Sequence, residues 1–484
     1  MLFNSIQFLF FFPIVTALFF LLPHRFRWFL LLVSSCYFYM AFIPVYILIL
    51  FLTIVIDYVA GIVIENAQGP RRRIFLIISI LSNCGVLGFF KYHNFLAGNI
   101  NSLDMFLGVP LSIPLQHFIL PIGLSFHTFQ AMSYTIEVYR GNVRAERHFG
   151  IYALYVMFYP QLVAGPIERP QNLIPQFYEV HSFDYVRAVD GLRLMLWGMF
   201  KKVVVADNLS VLVNAVYAHP DQFNGVGFIV ATVFFSFQIF CDFSGYSDIA
   251  IGAAKVMGFK IMTNFDRPYF AKSVSEFWKR WHISLSTWFR DYLYISLGGS
   301  RVPRGRVYFN LFVVFLVSGL WHGANWTFVI WGALHGLYLL SGLLTREFRE
   351  RWANRWGWAG TPWRKAFDVA VVFVLVSFAW IFFRATNLSD ALYIVGHLGT
   401  GWQSSQLIVE TLRSVLSISP FESVVGMAGV LVMEFVHFAQ RKRSLAEVVG
   451  GIPAWARWVI YYVAIMTILL FGNLGSNQFI YFQF

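Results

Sequence analysis

The sequence is poor in charge. Only 12% of its 484 residues are Asp, Glu, Lys or Arg, where a soluble chain carries about a quarter. That leaves too little polar surface to coat a water-soluble globule. Cysteine is scarce too: Cys36, Cys84 and Cys241 lie in or beside apolar runs, without CxxC spacing or accompanying histidines. They read as small hydrophobes, not as a disulfide frame or metal site. HExxH, paired histidines with acidic neighbours at ligand spacing, a GxSxG elbow and a phosphate-binding loop are all missing. Acidic residues are outnumbered by basic ones, 24 to 36, for a formal charge of +12. The cations sit in short clusters between apolar runs, which is the pattern of positive-inside loops and argues against nucleic acid as a partner. What is abundant is apolar surface: 58% of the residues are hydrophobic and 19% aromatic. Runs of about 17–25 apolar residues, each long enough to cross a ~30 Å hydrocarbon core, recur along the chain. The expected fold class is therefore an all-α, polytopic integral membrane protein, with membrane lipids as its surroundings.

The charges suggest a topology. Met1 to Leu22 lacks a basic leader and a small-residue cleavage site, so it is expected to be the first transmembrane helix and not a cleaved signal. Spans are predicted at 3–22, 28–42, 46–64, 74–90 and 118–138. Arg25 and Arg27, then Arg71 to Arg73, then Arg140, Arg144 and Arg147 each follow an odd-numbered span. One orientation puts all three clusters in the cytoplasm and the N-terminus outside. The segment 150–164, with Pro160 inside it and Gly165 and Pro166 beyond, is expected to be broken or re-entrant. Residues 191–217 mix Lys201, Lys202 and Asp207 with apolar positions and are expected to lie partly at the interface. After the apolar run 225–241, ten Lys/Arg between Lys255 and Arg306 face only Asp266, Glu276 and Asp291, which marks a cytoplasmic stretch. Spans at 366–383, 422–438 and 455–471 fit between basic marks at 346–365 and Arg441, Lys442 and Arg443. The tail ending Phe479-Ile-Tyr-Phe-Gln-Phe484 then lies outside.

Both flanks of 307–345 are basic, yet the apolar run 308–320 is short, ~20 Å as a helix. The simplest geometry is a re-entrant hairpin that turns at Trp321-His-Gly-Ala-Asn-Trp326, with His322 at membrane depth. An ionisable residue there marks a site or pathway by default, and a buried neutral imidazole can take a proton from a hydroxyl. The competing reading is a histidine tying the turn to a carbonyl. His282 lies in Phe277-Trp-Lys-Arg-Trp-His-Ile-Ser-Leu-Ser-Thr-Trp-Phe-Arg-Asp-Tyr292. As one helix this segment gathers Trp278, Trp281, His282, Leu285, Trp288, Phe289 and Tyr292 on one face, with basic residues opposite. A membrane-surface anchor explains most of that, though not a histidine on the aromatic face. Asp242-Phe-Ser-Gly-Tyr-Ser-Asp248 ends an apolar run and stacks Asp242 on Tyr246 and Ser244 on Asp248, a pattern that suits polar glue between helices as well as acid–base work. Asp57, His127 and Glu168 are lone polar residues that read as packing groups.

Taken together, these segments resemble the membrane-bound O-acyltransferase (MBOAT) family, in its alginate O-acetylation branch. The resemblance rests on Met1-Leu-Phe-Asn-Ser5, Leu120-Pro-Ile-Gly-Leu-Ser-Phe126, Ala164-Gly-Pro-Ile167, Asp242 to Gly252, Phe277 to Gly299, Gly319-Leu-Trp-His-Gly-Ala-Asn325 and the Phe-Gln-Phe ending, in family order. It implies a single membrane domain over 1–484: N-terminal helices at 1–149, a catalytic core at 150–345 and C-terminal helices at 346–484. Roughly 10–12 transmembrane or re-entrant helices would surround a central tunnel. It implies His322 as the catalytic residue and His282 as a second histidine important for activity. Trp321, Asn325, Asp242 and Tyr246 are the expected substrate contacts, with Asn325 or a turn N–H steadying the oxyanion. The donor implied is acetyl-CoA, with no bound cofactor or metal. The partner is an extracytoplasmic SGNH-type acetyltransferase that modifies a polysaccharide, and the location is the bacterial inner membrane. Two other classes stay open: a lipid or protein O-acyltransferase of the same superfamily, and a transporter or flippase.

Overall fold

The computed structural model describes residues 1–108, 112–116, 121–163, 165–441, 444–473 and 479–480. The start of the predicted 118–138 span, Ala164, Lys442, Arg443 and most of the C-terminal tail lie outside the described residues. Those described form helices and loops, with no strand among them. Among the described residues, eight helices are long and apolar enough to cross a membrane: Pro44–Asn66, Gly69–Leu107, Gly225–Met257, Arg304–His322, Trp326–Leu344, Pro362–Arg384, Pro420–Ala439 and Ala454–Phe471. The chain is an all-α, multi-pass membrane protein. It forms two compact units, Met1–Met195 with Ile249–Met262, and Leu196–Asp248 with Thr263–Phe484.

The first unit opens with helices Ile6–Leu21 and His24–Met40, the first capped by Ser5, whose Oγ accepts the Phe8 N–H at 3.2 Å. The fourth predicted span is longer than 74–90: Gly69–Leu107 runs on through a π-turn at Gly88–Tyr92. Buried Asp57 joins three helices. Ser79 Oγ donates to it at 2.6 Å and Asn83 Nδ2 at 2.8 Å, while Ser79 also donates to Thr135 at 2.9 Å. In hydrocarbon a carboxyl without such donors would be costly, so these residues act as glue between helices. His127 is held in the same manner, 2.7 Å from Thr53 Oγ1. The 149–163 stretch breaks at Phe158, between helices Phe149–Met157 and Tyr159–Leu162. Glu168 is buried in the loop beyond it and accepts from Asn172 Nδ2 at 2.6 Å and from the Met262 N–H. Burial holds its carboxyl above the usual range.

The second unit corrects one expectation, that of the hairpin. Lys201, Lys202 and Asp207 are buried within the protein. Lys202 Nζ sits 2.8 Å from Asp207 and 2.6 Å from Asp242, and Lys201 Nζ sits 2.7 Å from Asp248 and 2.9 Å from Ser244. The lysines remain inside because the carboxylates of the Asp242–Asp248 motif meet them there. That motif does not end its helix, which continues to Met257. The correction concerns the hairpin. Its first limb is the 19-residue helix Arg304–His322, about 28 Å long, because the basic turn at Arg304 and Arg306 is itself helical. Both limbs are thus of span length, and the short re-entrant limb does not occur. Gly319 and Gly332 bring the two backbones together: a Cβ on Gly332 would lie 2.3 Å from the Phe315 carbonyl oxygen.

Candidate active site

His322 is the last residue of the first limb and is buried. The chain turns through Gly323, where a Cβ would fall 2.1 Å from the Phe328 ring. It re-enters helix at Trp326, capped by Asn325, whose Oδ1 accepts the Thr327 N–H at 3.0 Å. Aromatic rings box the His322 imidazole: Trp321 and Trp331 with centroids at 4.9 Å and Phe383 at 5.3 Å. Trp321 also lies 6.3 Å from the His282 ring, so this indole contacts both histidines.

His282 is not on a continuous helix. Helix Val274–Arg280 stops, His282 takes a left-handed conformation with φ 44° and ψ 54°, and a new helix starts at Ile283. A non-glycine residue there costs on the order of 1–2 kcal/mol, and such strain concentrates at functional sites. Trp278, Trp281, Leu285, Trp288, Phe289 and Tyr292 are buried, so the segment is a core element and not a surface anchor. The imidazole is fully buried, edge-on to Phe243 at 4.6 Å, with Nδ1 3.2 Å from Asn264 Oδ1.

A cavity of about 490 Å³ lies between this segment and the hairpin. Trp278, Leu285, Phe289, Leu311 and Phe315 give it an apolar wall, and Lys279 and Arg290 contribute cations. Ile283, next to His282, and Ser318, one helical turn before His322, also line it. A groove of this kind suits a ligand with an apolar or amide-rich arm and an anionic head. Among the described residues no three His, Cys, Asp or Glu side chains are grouped to hold a metal ion.

Residues 124–382, more than half the chain, match the membrane-bound O-acyltransferase family. The chain belongs to that family. The protein of Pseudomonas putida named "Probable alginate O-acetylase AlgI" is 36% identical over 502 aligned positions, which cover 100% of both chains. Its namesake in Pseudomonas aeruginosa is 40% identical over 416, covering 84% of this chain and 77% of its own. The peptidoglycan O-acetyltransferase of Helicobacter pylori is 35% identical over 396, covering 75% and 72%. The protein is thus an O-acyltransferase.

Within the acyltransferase, Trp321 neighbours both His322 and His282, and the other expected contacts have partners of their own. Asn325 is committed as a cap, with Nδ2 donating to the Thr386 carbonyl at 3.0 Å, so its carboxamide is engaged on both sides. Asp242 faces Lys202 and accepts the Ile480 N–H at 2.8 Å, and Tyr246 packs on Phe479 at 4.7 Å. None of the expected site residues, His322, His282 and Trp321 included, is among those lining the cavity; Phe243, between Asp242 and Tyr246, reaches His282. Two residues carry no motif in the sequence. His335 is fully buried one turn beyond Trp331, with ring centroids at 4.9 Å, and accepts from Trp278 Nε1 at 3.3 Å. Asn264 is the other. For His335 the available signal was a histidine on an otherwise apolar helix; for Asn264 there was none.

Proposed function

We propose that this acyltransferase takes acetyl groups from cytoplasmic acetyl-CoA and delivers them across the bacterial inner membrane for O-acetylation of a polysaccharide. An extracytoplasmic SGNH-type partner receives them, and His322 is the general base. The observation that carries this reading is the buried imidazole at the tip of a hairpin whose limbs line a cavity with a cationic wall. The printed names of three relatives, which specify acetylation of alginate or peptidoglycan, support acetyl as the group and a glycan as the destination.

In this mechanism Lys279 and Arg290 meet the phosphates of the donor, and its thioester arm follows Trp278, Phe289 and Phe315 inward. Neutral His322 takes the proton of the acceptor hydroxyl while that oxygen attacks the acetyl carbonyl. The tetrahedral intermediate collapses, the carbon–sulfur bond breaks, and the imidazolium returns the proton to the leaving thiolate. An ester and free CoA result. The apolar box keeps water from competing with the acceptor and strengthens the polar interactions inside it. Basic clusters on the cytoplasmic side would put both termini outside.

The test uses inside-out membrane vesicles that contain the partner and the polymer, supplied with labelled acetyl-CoA. Label is expected in the enclosed glycan. Label that never reaches the acyltransferase, partner or glycan would overturn the proposal. Label ending in lipid would favour the lipid-acylating alternative.

A further inference from the structure

We infer that Asn264 is a positioning residue that holds His282 in a single neutral tautomer, with the proton on Nδ1 and the lone pair on Nε2. Asn264 Oδ1 accepts the Ser284 backbone N–H at 3.2 Å. A backbone N–H can only donate, so that atom is the carboxamide oxygen and not the nitrogen. Ser284 Oγ donates to the same oxygen at 2.9 Å, which commits the hydroxyl proton. His282 Nδ1 lies 3.2 Å from Oδ1 and farther, 3.5 Å, from Ser284 Oγ. Two lone pairs would repel across the shorter distance, so Nδ1 carries the hydrogen and donates. In neutral imidazole Nε2 is then the acceptor. The second amide atom is also engaged, Nδ2 donating to Ser247 Oγ at 3.2 Å.

Asn264 also holds the backbone that aims the ring. Its carbonyl accepts the Ile283 N–H at 2.9 Å, and two residues on, the Asp266 N–H donates to the Arg280 carbonyl at 2.9 Å. The 264–266 stretch therefore brackets the break in which His282 adopts its left-handed conformation. One residue sets both the direction of the imidazole and which nitrogen can accept a proton. The arrangement supplies a second base, or an acceptor for a proton in relay, at a ring that shares Trp321 as a neighbour with His322. The catalytic consequence rests on the acetyl-transfer reading above; the tautomer does not.

The experiment is 15N NMR of the purified full-length protein labelled at histidine, with His282→Gln used to assign the His282 resonances. Wild type is expected to show a pyrrole-like Nδ1 and a pyridine-like Nε2 at His282. Asn264→Asp keeps the acceptor and should keep this pattern and most of the turnover. Asn264→Ala should give a mixed or reversed pattern and at least a tenfold lower kcat, with KM for acetyl-CoA unchanged. A pyridine-like Nδ1 in wild type, or Asn264→Ala with unchanged tautomer and kcat, overturns the inference. The wild-type spectrum decides the tautomer even if Asn264→Ala does not fold. If the expected spectrum appears but wild type transfers no acetyl group, the acetyl-transfer reading fails and the tautomer assignment stands.

Discussion

Replacing Gly332 with alanine should destabilise the hairpin and slow catalysis, although the side chain added is a single methyl. The new Cβ would sit 2.3 Å from the Phe315 carbonyl oxygen and 3.2 Å from Gly319 Cα, where ordinary contact begins near 3.4 Å. The blocking atom is backbone, so no rotamer change relieves it, and the limbs must part by about 1 Å. Overpacking of this kind costs ~1–3 kcal/mol, against a gain of about 1 kcal/mol at most from the better helix propensity of alanine. His322 and Trp331 both sit within one turn of this contact, and a shift of about 1 Å at reacting groups can lower rates about 100-fold. Gly342, on the same helix, has nothing within 4 Å of its would-be Cβ. Gly342→Ala should therefore leave stability unchanged or raise it by up to ~1 kcal/mol. Thermal unfolding in detergent and the initial rate of acetyl transfer, measured for both variants, make the comparison. Gly332→Ala with wild-type Tm and rate, or Gly342→Ala equally damaged, would refute the reasoning.

Three other outcomes are expected. Lys202→Met leaves Asp207 and Asp242 buried without their cation and should cost about 3–5 kcal/mol; Tm and monodispersity on size exclusion check it, and wild-type stability would contradict it. Lys279→Ala with Arg290→Ala should raise KM for acetyl-CoA about tenfold or more with kcat preserved; steady-state kinetics decide, and an unchanged KM would remove the cavity as the donor site. Glu168 is held above its ordinary pKa of 4.5 by burial, so the folded state keeps its proton to higher pH than the unfolded one. Stability should therefore fall as pH rises from 4.5 through the folded pKa, and Glu168→Gln should flatten that slope. Melting curves across pH test this, and equal slopes in both proteins would argue against it.

Much of the fold was legible because long apolar runs and basic punctuation are one-dimensional signals. The helices at 362–384, 420–439 and 454–471 appear within a few residues of expectation. The hairpin turn was legible for the same reason, since Gly323 and Asn325 punctuate an apolar stretch. Its limb length was not, because Arg304 and Arg306 look like loop residues until the helix is seen to include them. The burial of Lys201, Lys202 and Asp207 was not legible for a related reason. Their partners Asp242 and Asp248 lie some 40 residues away in the sequence, and burial of a charge depends on a partner that periodicity does not reveal. The break at His282 was illegible because it is imposed by tertiary hydrogen bonds from Asn264, while the aromatic spacing around it suits an unbroken helix. His322 stood out as a candidate because a histidine in an apolar turn is conspicuous without any neighbour.

The central claim, that His322 is the base in acyl transfer, is tested most directly by His322→Gln in a single-turnover assay with purified protein, labelled acetyl-CoA and acceptor. Glutamine keeps a polar side chain of similar reach but cannot take up a proton near neutral pH. The account predicts unchanged melting and a transfer rate lower by about 10²–10⁴-fold. A correctly folded His322→Gln protein that transfers acetyl at the wild-type rate would contradict it.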